Sequence, residues 1–171
     1  MEDTSPRHHE NVEVLARHLE GVEVAMMSTV SPEGRIHSRP MAAQELPFDG
    51  ELWFFTSRDM PVAEEIRRNP KVNLSYGDRR SHRFVSVSGH AELVDDMRKA
   101  SELWNSVYKT WFPRGLDDPE LTLIRVRVEH AEIWDPPSRP MTLMLSFARS
   151  VMTGKPYEGE PPEHQWIDLT G

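Results

Sequence analysis

The chain has 171 residues, with 28 acidic against 20 basic side chains and a formal charge of −8. That length suits one domain with a substantial core, and the acid excess argues against a nucleic-acid-binding protein, whose footprint is a clustered basic face. The absence of cysteine excludes disulfides, thiolate metal sites and thiol catalysis.

No apolar run reaches the length of a membrane span, and the polar opening Glu2 to His9 does not resemble a secretory signal, so the expectation is a cytoplasmic protein without a membrane partner. Residues 1–7 read as a flexible lead-in. Val12, Leu15, Ala16 and Leu19 then recur at helical spacing over His8–Glu20, with Gly21 as the stop. From Val22 the period becomes two, with Val24, Met26 and Ser28 on one face and Ala25, Met27 and Thr29 on the other. The turn Ser31-Pro32-Glu33-Gly34 leads to a second strand over 35–44, and Pro47-Phe48-Asp49-Gly50 leads to a third over Glu51–Ser57.

A helix follows from Pro61 to Asn69, halted before Pro70. Val72–Tyr76 and Phe84–Val94 are the next two strands. Asp95 or Asp96 can cap a helix from Met97 to Tyr108, and Leu121–Trp134 is a long sixth strand. Six strands with short turns and few helices predict a mainly β fold with flanking helices, a closed or nearly closed antiparallel barrel. The barrel domain runs over 8–137. Residues 138–171 carry a helix at Met141–Met152, ended by Gly154, and an extended, partly mobile tail.

Two stretches suggest an anion site. Arg39 lies in a strand interrupted by Pro40, which cannot donate to a ladder and marks an edge or a distortion. Thr56, Ser57 and Arg58 bring hydroxyls and a cation from an aromatic strand to the start of a helix with Pro61 at its first position. A guanidinium fork suits a phosphate, and the two stretches lie on successive strands. Taken singly, each reads more simply as a surface arginine beside a bulge and as a strand-to-helix turn. Trp53 and Trp104 read as packing. Trp111, in a loop, and Trp134, at the end of a strand, can lean over a pocket. Glu64-Glu65 and Asp117-Asp118 read as solvent-facing or capping carboxylates. The eight histidines show no metal-ligand spacing, so no metal site is expected, and no spacing identifies a catalytic residue.

Taken together, Ser38-Arg39-Pro40-Met41, Leu52 to Thr56, Val85 to Gly89, Trp111-Phe112-Pro113, Asp117-Asp118-Pro119 with Leu121 to Val126, and Ala131 to Trp134 resemble the FMN-binding split-barrel superfamily of pyridoxamine 5′-phosphate oxidase, and within it the general stress protein 26 group. The resemblance implies a six-stranded split barrel that pairs into a homodimer, with FMN (or FAD) held in clefts between the subunits. It implies cofactor contacts from Arg39, Pro40, Met41, Phe55, Thr56, Ser57, Arg58, Trp111 and Trp134. It also implies flavin-dependent oxidoreductase chemistry. The alternatives are a non-catalytic flavin-binding or sensing module, and a barrel without flavin that takes haem, a deazaflavin or another planar ligand.

The sequence departs from that pattern twice. The family's phosphate-contacting lysine falls at Val62, a loss worth about 1.5–3 kcal/mol if the contact is desolvated; Arg58 is the candidate substitute. The Arg-x-His-Asp-Arg segment of true pyridoxamine phosphate oxidases is replaced by Asp135-Pro136-Pro137-Ser138-Arg139-Pro140. The resemblance therefore does not extend to that oxidation.

Overall fold

The computed structural model describes residues 6–44, 47–78, 82–135, 152, 154 and 163–170. In chain order these form α1 (Pro6–Leu19), β1 (Val24–Val30), β2 (Ile36–Ala42), β3 (Glu51–Ser57), α2 (Pro61–Arg68), β4 (Lys71–Asp78), β5 (Arg83–Val94), α3 (Met97–Leu103), β6 (Leu121–Asp135) and β7 (Glu163–Asp168). Two short 3-10 turns, Ser106–Thr110 and Gly115–Asp117, lie between α3 and β6. Every strand pairing is antiparallel, in the order β2-β1-β4-β5-β6-β3, with β7 also beside β6. β2 and β3 stand at the two ends of this order and form no ladder with each other. The barrel is therefore split between them, as the family resemblance implies.

Alternation chooses the core. Ala25, Met27 and Thr29 of β1 turn inward and are buried, whereas Val24 and Met26 are exposed. Phe54, Leu74, Val87, Ile124, Val126 and Ile133 complete the interior, and Leu15 of α1 closes one side of it. Each large apolar side chain so buried contributes about 1.5–3 kcal/mol before entropy is counted.

Glu129 marks an irregularity in β6. Ser88 pairs with His130 but Gly89 pairs with Val128, so Glu129 has no opposite residue on β5. On the other edge of β6, β3 covers Leu121–Arg127 and β7 covers His130–Asp135. The Val128 amide donates to the Gly50 carbonyl at 3.0 Å, and the Leu169 amide donates to the Glu129 carbonyl at 2.8 Å. The extra residue resets the alternation, so Val126 and Val128 before it and Ala131 and Ile133 after it all stay buried. Gly89 sits against this bulge, and a Cβ there would lie 2.3 Å from the Arg127 carbonyl oxygen.

Several elements differ from the sequence reading. The first helix begins at Pro6, inside the expected lead-in. Of the two cap candidates offered for α3, Asp96 is the one used, accepting from the Lys99 amide at 2.9 Å. That helix stops at Leu103, because Trp104 turns extended and Asn105 caps a separate turn by accepting from the Val107 amide. Part of the expected tail is a seventh strand, held by burial of Ile167 and Leu169. The expected helix over 141–152 lies, except for Met152, outside the described residues.

Asp135 ties three elements together. Its carboxylate lies 2.9 Å from His18 Nε2 on α1 and accepts from Arg83 Nε on β5 at 2.7 Å. Burial pushes this carboxyl up, but hydrogen bonds from His18 and Arg83 outweigh it, and the net shift is downward.

Two outcomes follow from these packing relations. Gly89→Ala should lower the urea midpoint and cost about 2 kcal/mol or more, because backbone must move to admit the methyl; an unchanged midpoint would contradict the close approach. A depressed carboxyl stabilises the fold above its unfolded-state value and loses that effect as pH falls through its folded value. Wild-type stability should therefore fall as pH drops below about 4, and its advantage over Asp135→Asn, followed by urea unfolding at each pH, should shrink over that range.

Candidate functional site

β2 is an edge strand, and Pro40 sits in it opposite Met26 without breaking the ladder to β1. On its inward face His37, Arg39 and Met41 lie opposite Thr29, Met27 and Ala25. Against this face packs α2, which begins with Pro61 at a position where the missing amide costs nothing. Val62, Ala63, Glu65 and Ile66 form its buried side.

Glu65 is 3% exposed and is the one charged side chain buried among the described residues. Its Oε2 accepts from Arg39 Nη2 at 2.6 Å and from the Thr29 hydroxyl at 2.5 Å, while Oε1 lies 2.9 Å from His37 Nδ1. Arg39 Nη1 also donates to the Thr29 oxygen, at 2.7 Å. Burial pushes the Glu65 carboxyl up, yet hydrogen bonds from Thr29 and His37 and the charge of Arg39 outweigh it, so the shift is downward. The Arg39 guanidinium thus already holds an anion supplied by its own chain.

The other candidate phosphate donors are engaged too. The Ser57 hydroxyl donates to Asp59 at 2.5 Å. Arg58 forks onto Asp95, Nη1 to Oδ2 at 3.0 Å and Nη2 to Oδ1 at 2.6 Å, and also donates to the Pro119 and Leu121 carbonyls. That hydrogen bond with Asp95 raises the Arg58 pKa, and on the other side it depresses the Asp95 carboxyl. Thr56 is buried opposite Thr122. Arg58 therefore clamps the ends of β5 and β6, and its charge is spent there.

The ring candidates lie in two other places. Phe55 faces outward from β3 and packs on Trp104 and Tyr108, with ring centres 5.6 and 4.5 Å away; Tyr108 in turn meets the exposed Trp111 at 6.5 Å. Trp104, Tyr108 and Trp111 border a groove of about 1190 Å³ beside the split, lined also by Ala42, Ala43, Phe48 and Trp53; Phe55 is not part of its wall and packs behind Trp104 and Tyr108. Trp134 lies apart on the β6–β7 face, stacked on His164 with ring centres 5.2 Å apart. Arg39 precedes Ala42 by about 10 Å of extended strand, so the aromatic groove and the Arg39 cluster neighbour each other along β2, while Trp134 joins neither within one chain.

Glu65 corrects the sequence reading, which grouped it with Glu64 as solvent-facing or capping. Only Glu64 behaves so, pairing with Arg68 at 2.6 Å on the exposed side of α2. The signal was available: Glu65 follows Val62 by three residues and precedes Ile66, placing it at the edge of the apolar stripe. Tyr108 was also missed as a site residue; its phenol oxygen accepts from Gln44 Nε2 at 2.8 Å.

For the flavin that the sequence resemblance implies, the donor set suits the ring better than the phosphate. The groove offers aromatic walls, whereas Arg39, Ser57 and Arg58 are each already paired with a carboxylate. The first turn of α2 presents buried Val62 and Ala63 and no cation.

A family model described as pyridoxamine 5′-phosphate oxidase like matches residues 10–158. General stress protein 26 of Bacillus subtilis is 29% identical over 128 residues, covering 72% of this chain and 88% of that protein. A general stress FMN/FAD binding protein from Xanthomonas citri superposes with a TM-score of 0.65 at 29% identity, covering 77% of this chain and 92% of the other. A putative general stress protein 26 from Jannaschia superposes with a TM-score of 0.68 at 20% identity, covering 94% and 96%, a likeness of fold. The order of strands, the split between β2 and β3 and a match over most of the chain agree: this protein belongs to the pyridoxamine 5′-phosphate oxidase-like family.

Proposed function

We propose that the protein is a homodimeric, cytoplasmic flavin-binding protein of the general-stress type, with oxidoreductase chemistry at the flavin. The observation that carries this reading is the likeness to the Xanthomonas citri FMN/FAD binding protein, set beside an aromatic groove that adjoins Arg39 along β2. A bound flavin would supply hydride and electron transfer; the protein's part is to bind, orient and exclude water. In this reading Met41, Phe55 and Trp111 serve the ring, and Arg39 with Thr56 and Ser57 serves the polar end.

A second copy accounts for the scattered ring candidates. The outward face of the sheet carries a row from Pro40 through Met26, Ser75, Ser86 and Glu132 to Trp166. Small serines occupy its middle, and Val24, Met26, Ile36, Phe84 and Trp166 stand exposed around them. A surface with a low centre and apolar margins suits close approach of another such face. Pairing of copies is also the way Trp134 of one subunit would approach the Arg39 side of the other.

A binding or sensing role without turnover is the second reading. The observation that favours it is that the described acids and bases near Arg39 are tied to one another, leaving no evident proton donor or acceptor.

Titration with FMN or riboflavin should shift the flavin absorption bands and quench tryptophan fluorescence saturably, and light scattering should give twice the chain mass; no saturation with either flavin would sink the flavin reading. Turnover of reduced nicotinamide with an added acceptor then divides enzyme from binder. Arg39→Ala should weaken FMN binding about tenfold or more, and unchanged affinity would refute its part at the polar end.

A further inference from the structure

Three features of one cluster bear on which flavin the site favours. Arg39, the cation at the inward face of β2, is neutralised by Glu65 at 2.6 Å. The neighbouring first turn of α2, Pro61 to Glu64, adds no cationic side chain. Glu65 is itself held from several sides, by Thr29 on β1 and by His37 and Arg39 on β2, so the carboxylate is fixed in the cluster and not free to swing out.

We infer that Glu65 sets the ligand form, disfavouring a phosphate at this end and selecting a flavin whose ribityl chain ends in a hydroxyl. This rests on the flavin reading above. A phosphate near Arg39 would bring up to two negative charges beside a fixed carboxylate, and like charges at short range repel. A hydroxylated chain meets no such penalty. Its hydroxyls can accept from N–H groups of the part-exposed Arg39 guanidinium beyond the two that bind Thr29 and Glu65. The chain's overall charge of −8 adds a weaker, long-range bias in the same direction. Glu65 is thereby a specificity-determining residue with a chemical reason: it stands as an internal counter-ion where an external anion would otherwise be attracted.

Parallel titrations of the dimer with riboflavin and FMN at pH 7.5 test this. Wild-type protein should bind riboflavin at least as tightly as FMN. Glu65→Gln, which keeps the size and removes the charge, should move the ratio about tenfold or more toward FMN. A merely structural ion pair would alter both affinities together and leave the ratio unchanged, which would overturn the inference. Should that variant not fold, the wild-type salt dependence decides. Repulsion predicts that FMN binding tightens between 50 and 500 mM NaCl while riboflavin binding stays constant, whereas attraction by an available Arg39 predicts that FMN binding weakens. FMN binding about tenfold tighter than riboflavin in the wild type overturns the selection by Glu65 and leaves the flavin reading standing. Failure of both flavins to bind overturns both.

Discussion

One residue out of register in β6 organises the sheet. Without the bulge at Glu129, the strand's second half would turn its apolar residues outward, since a slip of one residue reverses every side chain. With it, β6 keeps a continuous inward face while exchanging one neighbour, β3, for another, β7. The exchange leaves β3 short enough to end beside β2 without pairing to it, and the groove opens along that seam. Gly89 is part of the same device, because only a residue without a side chain lets β5 follow the bulge so closely.

Charge around the seam is distributed largely by pairing, although Arg17 also lines the groove. Arg58 binds Asp95, Arg125 binds Glu92, and Arg39 binds Glu65. The first two bonds are partly exposed and serve mainly to fasten strand ends, where solvent weakens them. The third is sheltered by β1, β2 and α2, so its consequences for a ligand are larger than its resemblance to the others suggests.

Alternation and turn chemistry are local signals, so they made most strands legible in the sequence; by themselves they predicted a closed or nearly closed barrel, and the split followed from the family resemblance. Glu51–Ser57 was bounded correctly by Gly50 and by Pro61, and the strand through Phe84–Val94 by its strict period of two. β7 was hidden because its partner lies far away in sequence and its neighbours are prolines; only the burial of Ile167 and Leu169 against β6 makes it a strand. At the site, Arg39 was legible from the proline beside it, but its partner was not. Whether a glutamate on a short helix faces solvent or interior depends on a fraction of a turn, and the neighbouring Glu64 and Glu65 take opposite sides. Pairings such as Arg58 with Asp95 join residues 37 apart in sequence, beyond the reach of any local pattern.

The contact between α1 and β7 has a bearing on how the molecule comes apart. The Asn11 side chain donates to the Asp168 carbonyl at 2.8 Å, and both elements lean on β6 and Asp135. The first helix and the last strand therefore act as a clasp, each denying the other an independent fraying end. Release of α1 or of β7 weakens the other, which ties the opening of these two elements to that of the core.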